Sequence, residues 1–335
     1  AGGDDYLKNL ALTELDDVDE SFLRFVNPGD LRVAMASCGG SGCHREHVDH
    51  MVTNSMATFA GELGVARYRA GSQGSSRSVK SVYDVRDPDF AVGERPGTVG
   101  TLARLTEPSV SGESSDIGGY LDLYLTKACM RCHLWSYGEN RFTGDYRSSG
   151  CTACHMNYAD DGLSLSADPT IEKDSPAHPI KHVLTQAIPT TTCMHCHYRG
   201  GRIGPNFMGM REAGGPGTDP PAVGYLGEAL HGHDANYYIT DEDLTNDHDE
   251  TPPDVHFEAG MHCIDCHTSN DVHGDGHLYS DSNLAVELRC ESCHGSSEAV
   301  STLTSRLGRP IENLSQDSNG AIWLRTKVSG KTLRV

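Results

Sequence analysis

The sequence is short of the residues from which a core of this size is normally built. In 335 residues there are 2 tryptophans and 7 phenylalanines, and hydrophobic residues of all kinds reach 37%. Apolar side chains alone would make a thin core, so something else must fill the interior. Basic residues are also scarce: 27 Lys and Arg against 47 Asp and Glu leave a formal charge of −20. That balance argues against nucleic acid as a partner, because a phosphate-binding surface needs clustered Lys and Arg. No run approaches the roughly 18 apolar residues of a membrane span, so no transmembrane segment is expected. The opening residues lack a charged stretch followed by an apolar one, and read as either a mature exported protein or a cytosolic one.

Cysteine and histidine are abundant instead, at 12 and 18. The cysteines form six pairs, and each pair is followed at once by histidine. Five are C-x-x-C-H: Cys129-Cys132-His133, Cys151-Cys154-His155, Cys193-Cys196-His197, Cys263-Cys266-His267 and Cys290-Cys293-His294. The remaining pair, Cys38 and Cys43 before His44, has four residues between its cysteines. C-x-x-C-H is the attachment signature of c-type haem. Two thiols one helical turn apart add to the two vinyl groups of one haem edge, and the next residue brings its imidazole to the iron. The Gly-rich spacer after Cys38 can bulge to present the same two anchors, since glycine tolerates unusual backbone angles. A disulfide framework gives no reason for histidine after every second cysteine. A zinc site does not produce six consecutive matches with no cysteine left over. Six covalently bound haem c groups are therefore expected, and their macrocycles supply the missing core. Thioether attachment occurs outside the cytoplasm, so the expected location is extracellular or at the cell surface, with the periplasm second.

Six histidines belong to the motifs and twelve remain, twice what bis-histidine ligation of six irons requires. His195 lies between the cysteines of its own motif and cannot reach the opposite face of that haem. His47, His50 and His262 share the proximal side of their own haems and could serve only a neighbouring one. Segments free to drape over a haem carry His178, His182, His231, His256 and His273, and His50 is the sixth candidate, narrowly ahead of His47, His233, His248 and His277. Methionine is the other common sixth ligand, but Met51, Met56 and Met130 read as packing residues.

The motifs are unevenly placed. Residues 1–37 form an arm with an amphipathic helix (Leu7, Leu10, Leu15, Val18), and 38–64 a first haem segment. There Val48, Val52, Met56, Phe59 and Leu63 recur at intervals of three or four residues, as on one helix. Residues 65–126 read as a haem-free lobe of loops and short strands. A five-haem body spans 127–295, and 296–335 reads as a helix and a β-hairpin turning at Ser329-Gly330, whose edge could pair with another subunit. The expected fold class is mostly irregular chain with short helices and a few short strands around stacked haems.

The stretch Cys38–His44 followed by Asn54–Gly61 resembles the first-haem region of extracellular multihaem cytochromes of metal-reducing bacteria. The similarity continues in Cys193–Gly204, in Gly260–His267 with Asp271–Gly276, and in Arg289–Gly295. The best-known relatives, the OmcS-type cytochromes, have six bis-histidine haems and polymerise into extracellular nanowires. The resemblance implies an electron conduit whose partners are copies of itself, head to tail in a filament, together with redox proteins or acceptors such as metal oxides. One departure is that residues 1–37 contain no histidine to donate to a neighbouring subunit. With motifs only 22 residues (Cys129 to Cys151) and 27 residues (Cys263 to Cys290) apart, the haems should lie nearly in contact. A monomeric shuttle is the alternative. A reductase of nitrite, hydroxylamine or a sulfur oxyanion fits less well, because it needs a replaceable sixth position.

Overall fold

The computed structural model describes residues 19–88, 95–105, 117–126, 134, 148–157, 169, 180–197, 203–209, 211–212, 237–238 and 252–335. Short helices and a few short strands are joined by turns and loops, as the composition suggests. The apolar interior is divided into small clusters. One joins Leu31, Met51, Ala57, Leu134 and Ala153, another Leu63, Val82, Leu105 and Leu125, and another Ala60, Val85, Leu102 and Leu278.

The expected helix over 4–18 lies outside the described residues. A first helix, α1 (Glu20–Val26), starts at Asp19, whose carboxylate accepts from the Ser21 and Phe22 N–H groups at 2.9 and 3.2 Å. The single helix expected over 44–63 is instead three: α2 (Arg45–Met51), α3 (Ser55–Thr58) and α4 (Ala60–Arg69). Two residues interrupt it. Asn54 caps α3 by accepting from the Met56 N–H at 2.7 Å, and Phe59 takes a left-handed φ of 58°. Each restart rotates the buried face, so Ala57, Ala60 and Leu63 are fully buried while Val52, Met56 and Phe59 are half-buried.

Residues 65–126 do contain short strands, but they do not stand apart. β1 (Lys80–Ser81) pairs parallel with β3 (Thr101–Arg104), and β2 (Val85–Arg86) pairs antiparallel with the other side of β3. An unexpected helix, α5 (Ile117–Tyr124), follows. The sheet is clamped onto residues 278–280: Ser78 N–H donates to the Ser280 carbonyl (2.9 Å), Val99 N–H to that of Leu278 (2.9 Å), and Leu278 N–H to Asp87 Oδ2 (2.8 Å). An Arg95–Asp275 ion pair closes the same seam. The supposed lobe thus buttresses the segment between the fifth and sixth motifs.

Four short helices carry or enter motifs: α6 (Thr152–His155), α7 (Thr190–Met194), and further on α10 (Cys263–Cys266) and α13 (Cys290–His294). Between α7 and α10 lie α8 (Ile203–Phe207), β4 (Arg211–Glu212) paired with β5 (Tyr237–Tyr238), and α9 (Val255–Ala259). Between α10 and α13 come α11 (Ser269–His273) and α12 (Ser282–Ala285).

No helix forms in 296–335, contrary to expectation. The tail is a three-stranded antiparallel meander of β6 (Leu314–Gln316), β7 (Ile322–Arg325) and β8 (Thr332–Arg334). Gly308, Gly320 and Gly330 all have positive φ, and a helix cannot run through such positions. The hairpin expected at Ser329-Gly330 is present, with β6 as an added strand. It folds back on its own body: buried Asp265, inside the fifth motif, accepts from the Lys327 N–H at 2.7 Å, and Lys331 Nζ donates to the Ala259 carbonyl at 2.7 Å.

Candidate functional site

Five of the six Cys/Cys/His motifs are described; Cys129, Cys132 and His133 lie outside the described residues. In the standard motifs the two cysteines sit about one helical turn apart, because residues at i and i+3 share a helix face. The histidine N–H closes this turn on the first cysteine's carbonyl: His155 on Cys151 (3.0 Å), His197 on Cys193 (2.9 Å) and His267 on Cys263 (2.8 Å). The longer first motif makes the same closure, His44 N–H on the Cys38 carbonyl at 3.2 Å. Its two extra residues are taken up where Ser41 (φ 55°) and Gly42 (φ 76°) turn left-handed. Cysteine pairs of equivalent presentation therefore arise from unequal spacings.

Consecutive described motifs also touch one another. The Cys151 thiol is pushed up to about 12 by burial and by the adjoining Cys38 sulfur. Cys193 donates to Cys263, which raises the former and brings the latter down to about 6. Burial, then the charge of Cys293, pushes Cys266 up to about 11. None of the ten described cysteines is joined to another in a disulfide. Among the described residues no three His, Cys, Asp or Glu side chains converge as a metal cage would require. The donors are thiol pairs, each with an imidazole beside it, and this is the donor set that two thioethers and one axial ligand use.

The third motif is seated by the N-terminal segment. Asn27 Nδ2 donates to Ser149 Oγ (2.9 Å), Thr152 Oγ1 donates to Asn27 Oδ1 (3.0 Å), and Cys151 N–H donates to the Gly29 carbonyl (2.8 Å).

Of the expected distal histidines, His178 and His231 lie outside the described residues. His273 meets motif histidine His155 in a stacked arrangement at 5.8 Å between ring centroids, and lies 4.7 Å from His47, which is itself 6.1 Å from His44. His256 lies 6.0 Å from motif histidine His294. His182 is exposed in Lys181–Leu184, beside exposed Val183 and Leu184. His50 is half-buried with Nε2 against Gly276, where an added Cβ would sit 3.1 Å away.

Several of these rings have Nδ1 occupied by an acceptor: His155 by the Thr185 carbonyl (2.9 Å), His273 by the Ser269 carbonyl (3.0 Å), and His256 by Asp254 Oδ1 (2.8 Å). Such a bond places the proton on Nδ1 and leaves the Nε2 lone pair for a metal. His262 is the reverse case. Its Nδ1 accepts from the Thr190 N–H at 3.1 Å, so its proton sits on Nε2. Sequence reasoning missed these acceptors, although Asp254 and Asp271 stand two residues before His256 and four after His267 and were visible there.

His273 is held low, at about 4, first by burial and then by the nearby His47 and His155 rings. A folded-state value below the unfolded one of about 6.5 means that the unfolded chain binds the extra proton. The stability this neutral ring contributes is present above about pH 6.5 and is lost as pH falls towards 4. A proton competing with a metal for the ring would act in the same direction. Thermal melts at pH 7 and pH 4.5 are expected to show a lower midpoint at the acid value, with His273→Gln reducing the difference.

No helix among the described residues is long and apolar enough to cross a membrane. Compared with protein-family models, curated proteins and solved structures, the chain gives no match to any of them.

Proposed function

We propose that this chain is a hexahaem c-type cytochrome that carries electrons along closely spaced bis-histidine haems, as a subunit of an extracellular filament. The observation that supports it best is the closure of the histidine N–H on the first cysteine's carbonyl, made in four of the described motifs despite unequal spacings. Bound haem would supply one-electron exchange, and the protein's part is to set ligands, polarity and spacing. In this reading the twelve cysteines anchor, His44, His133, His155, His197, His267 and His294 ligate proximally, and His50, His178, His182, His231, His256 and His273 supply the distal side. The contacts Cys38–Cys151 and Cys193–Cys263 support close spacing, since attachment points that touch hold their cofactors near one another. Self-assembly and exchange with redox proteins or metal oxides follow from the resemblance to extracellular multihaem cytochromes, as does an exported location without an enzymatic role. A monomeric shuttle is the second reading, favoured by the tail sheet docking on its own body rather than leaving the fold.

Intact-mass measurement of the protein purified from an exporting host is expected to show six added haems. A bare polypeptide mass, or one lowered only by paired cysteines forming disulfides, would overturn the reading. Filaments in electron micrographs decide between conduit and shuttle.

A further inference from the structure

The imidazole of His267 faces a group of a different kind from the one that the His155 imidazole bonds. Its Nδ1 lies 3.5 Å from Asp271 Oδ2, one helical turn ahead, and the Asp271 side chain is only 4% exposed. That oxygen is buried and has no hydrogen-bond partner, so the His267 ring faces it at ion-pair distance without a hydrogen bond. The second carboxylate oxygen accepts from the Glu287 N–H at 2.8 Å, which fixes the side chain in place. The neighbouring buried carboxylate, Glu287, is neutralised by Arg309 at 2.9 Å, whereas the charge partner of Asp271 is the His267 ring. By contrast, His155 bonds a neutral carbonyl through the same nitrogen.

From this contrast, and resting on the proposed haem attachment, we infer that Asp271 is a positioning residue that lowers the reduction potential of the haem held by Cys263, Cys266 and His267. A buried negative charge 3.5 Å from Nδ1 makes the imidazole a more basic ligand. The more positive, ferric state is then favoured, and hydrogen bonding and burial around a ligand are established levers on potential. The deep burial of the Asp271 side chain means that water screens little of this effect. An electron would then rest least readily at this site.

The test is a mediated spectroelectrochemical titration of the full haem-loaded chain at fixed pH, comparing wild type with Asp271→Asn and Asp271→Glu, with haem content measured in each. Asparagine keeps the size of the side chain and an acceptor for the Glu287 N–H but removes the charge. About one sixth of the absorbance change is expected to move to higher potential in Asp271→Asn, with six haems retained, while Asp271→Glu follows wild type. Superimposable curves for wild type and Asp271→Asn overturn the inference, as do equal shifts in both variants or loss of a haem from Asp271→Asn. A wild-type chain with no haem removes the underlying reading and this inference with it.

Discussion

Gly150→Ala is expected to lower the free energy of unfolding by about 3 kcal/mol, out of the roughly 5–15 kcal/mol that folded domains possess. Gly150 has φ 63°, and an added Cβ would lie 2.0 Å from the Gly29 carbonyl oxygen and 3.0 Å from the Asp30 Cα. A left-handed alanine costs about 1–2 kcal/mol by itself. The overlap costs more, because the obstructing atoms are backbone and cannot rotate away. To relieve it, residues 27–30 must withdraw from the start of the third motif, and the Cys151 N–H to Gly29 carbonyl bond at 2.8 Å is lost. A urea titration is expected to show a lower midpoint with an unchanged slope. A change within about 0.5 kcal/mol, the size of an ordinary surface substitution, would mean that this junction does not hold the third motif in place.

Glu287→Ala is expected to cost about as much, roughly 3 kcal/mol, for an electrostatic reason. The Glu287 side chain is 3% exposed and accepts from Arg309 Nη1 and from Thr268 Oγ1, both at 2.9 Å. Removing one partner of a buried pair leaves donors without an acceptor, at about 3–5 kcal/mol. The lower end applies here because the Arg309 side chain is 37% exposed and can regain water. Glu287→Gln keeps the packing and one acceptor, so its loss is expected to be smaller. Since the pair is buried on the glutamate side, added salt should change the difference little. Equal melting of Glu287→Ala and wild type would show that the three segments converging here, around residues 268, 287 and 309, are held by something else.

Both substitutions act on joints between motifs and leave the motifs themselves intact, and the sequence was silent on those joints. The tail hairpin was readable from alternating residues around Ser329-Gly330, because hairpin chemistry is local. The run from His44 to Leu63 misled: its periodicity of three or four residues suggested one helix, yet Asn54 offered a cap and Phe59 turned left-handed, so the stripe was cut twice. Residues 65–126 contain the expected short strands and an unexpected helix, and no pattern in them foretold that Val99 and Ser78 would bond residues 278 and 280.

The linear order of residues determined by itself which cysteines share a motif, which histidine follows each pair, and where a glycine-rich insertion lengthens the spacing. Spacings of three or four residues span a single turn of chain, and a turn has few shapes. Only the tertiary structure decided which motif lies against which, that Thr185 orients His155, and that Asp271 is buried against His267. Those relations depend on packing between segments tens to hundreds of residues apart, or on how deeply a side chain is buried, and neither is written in local spacing.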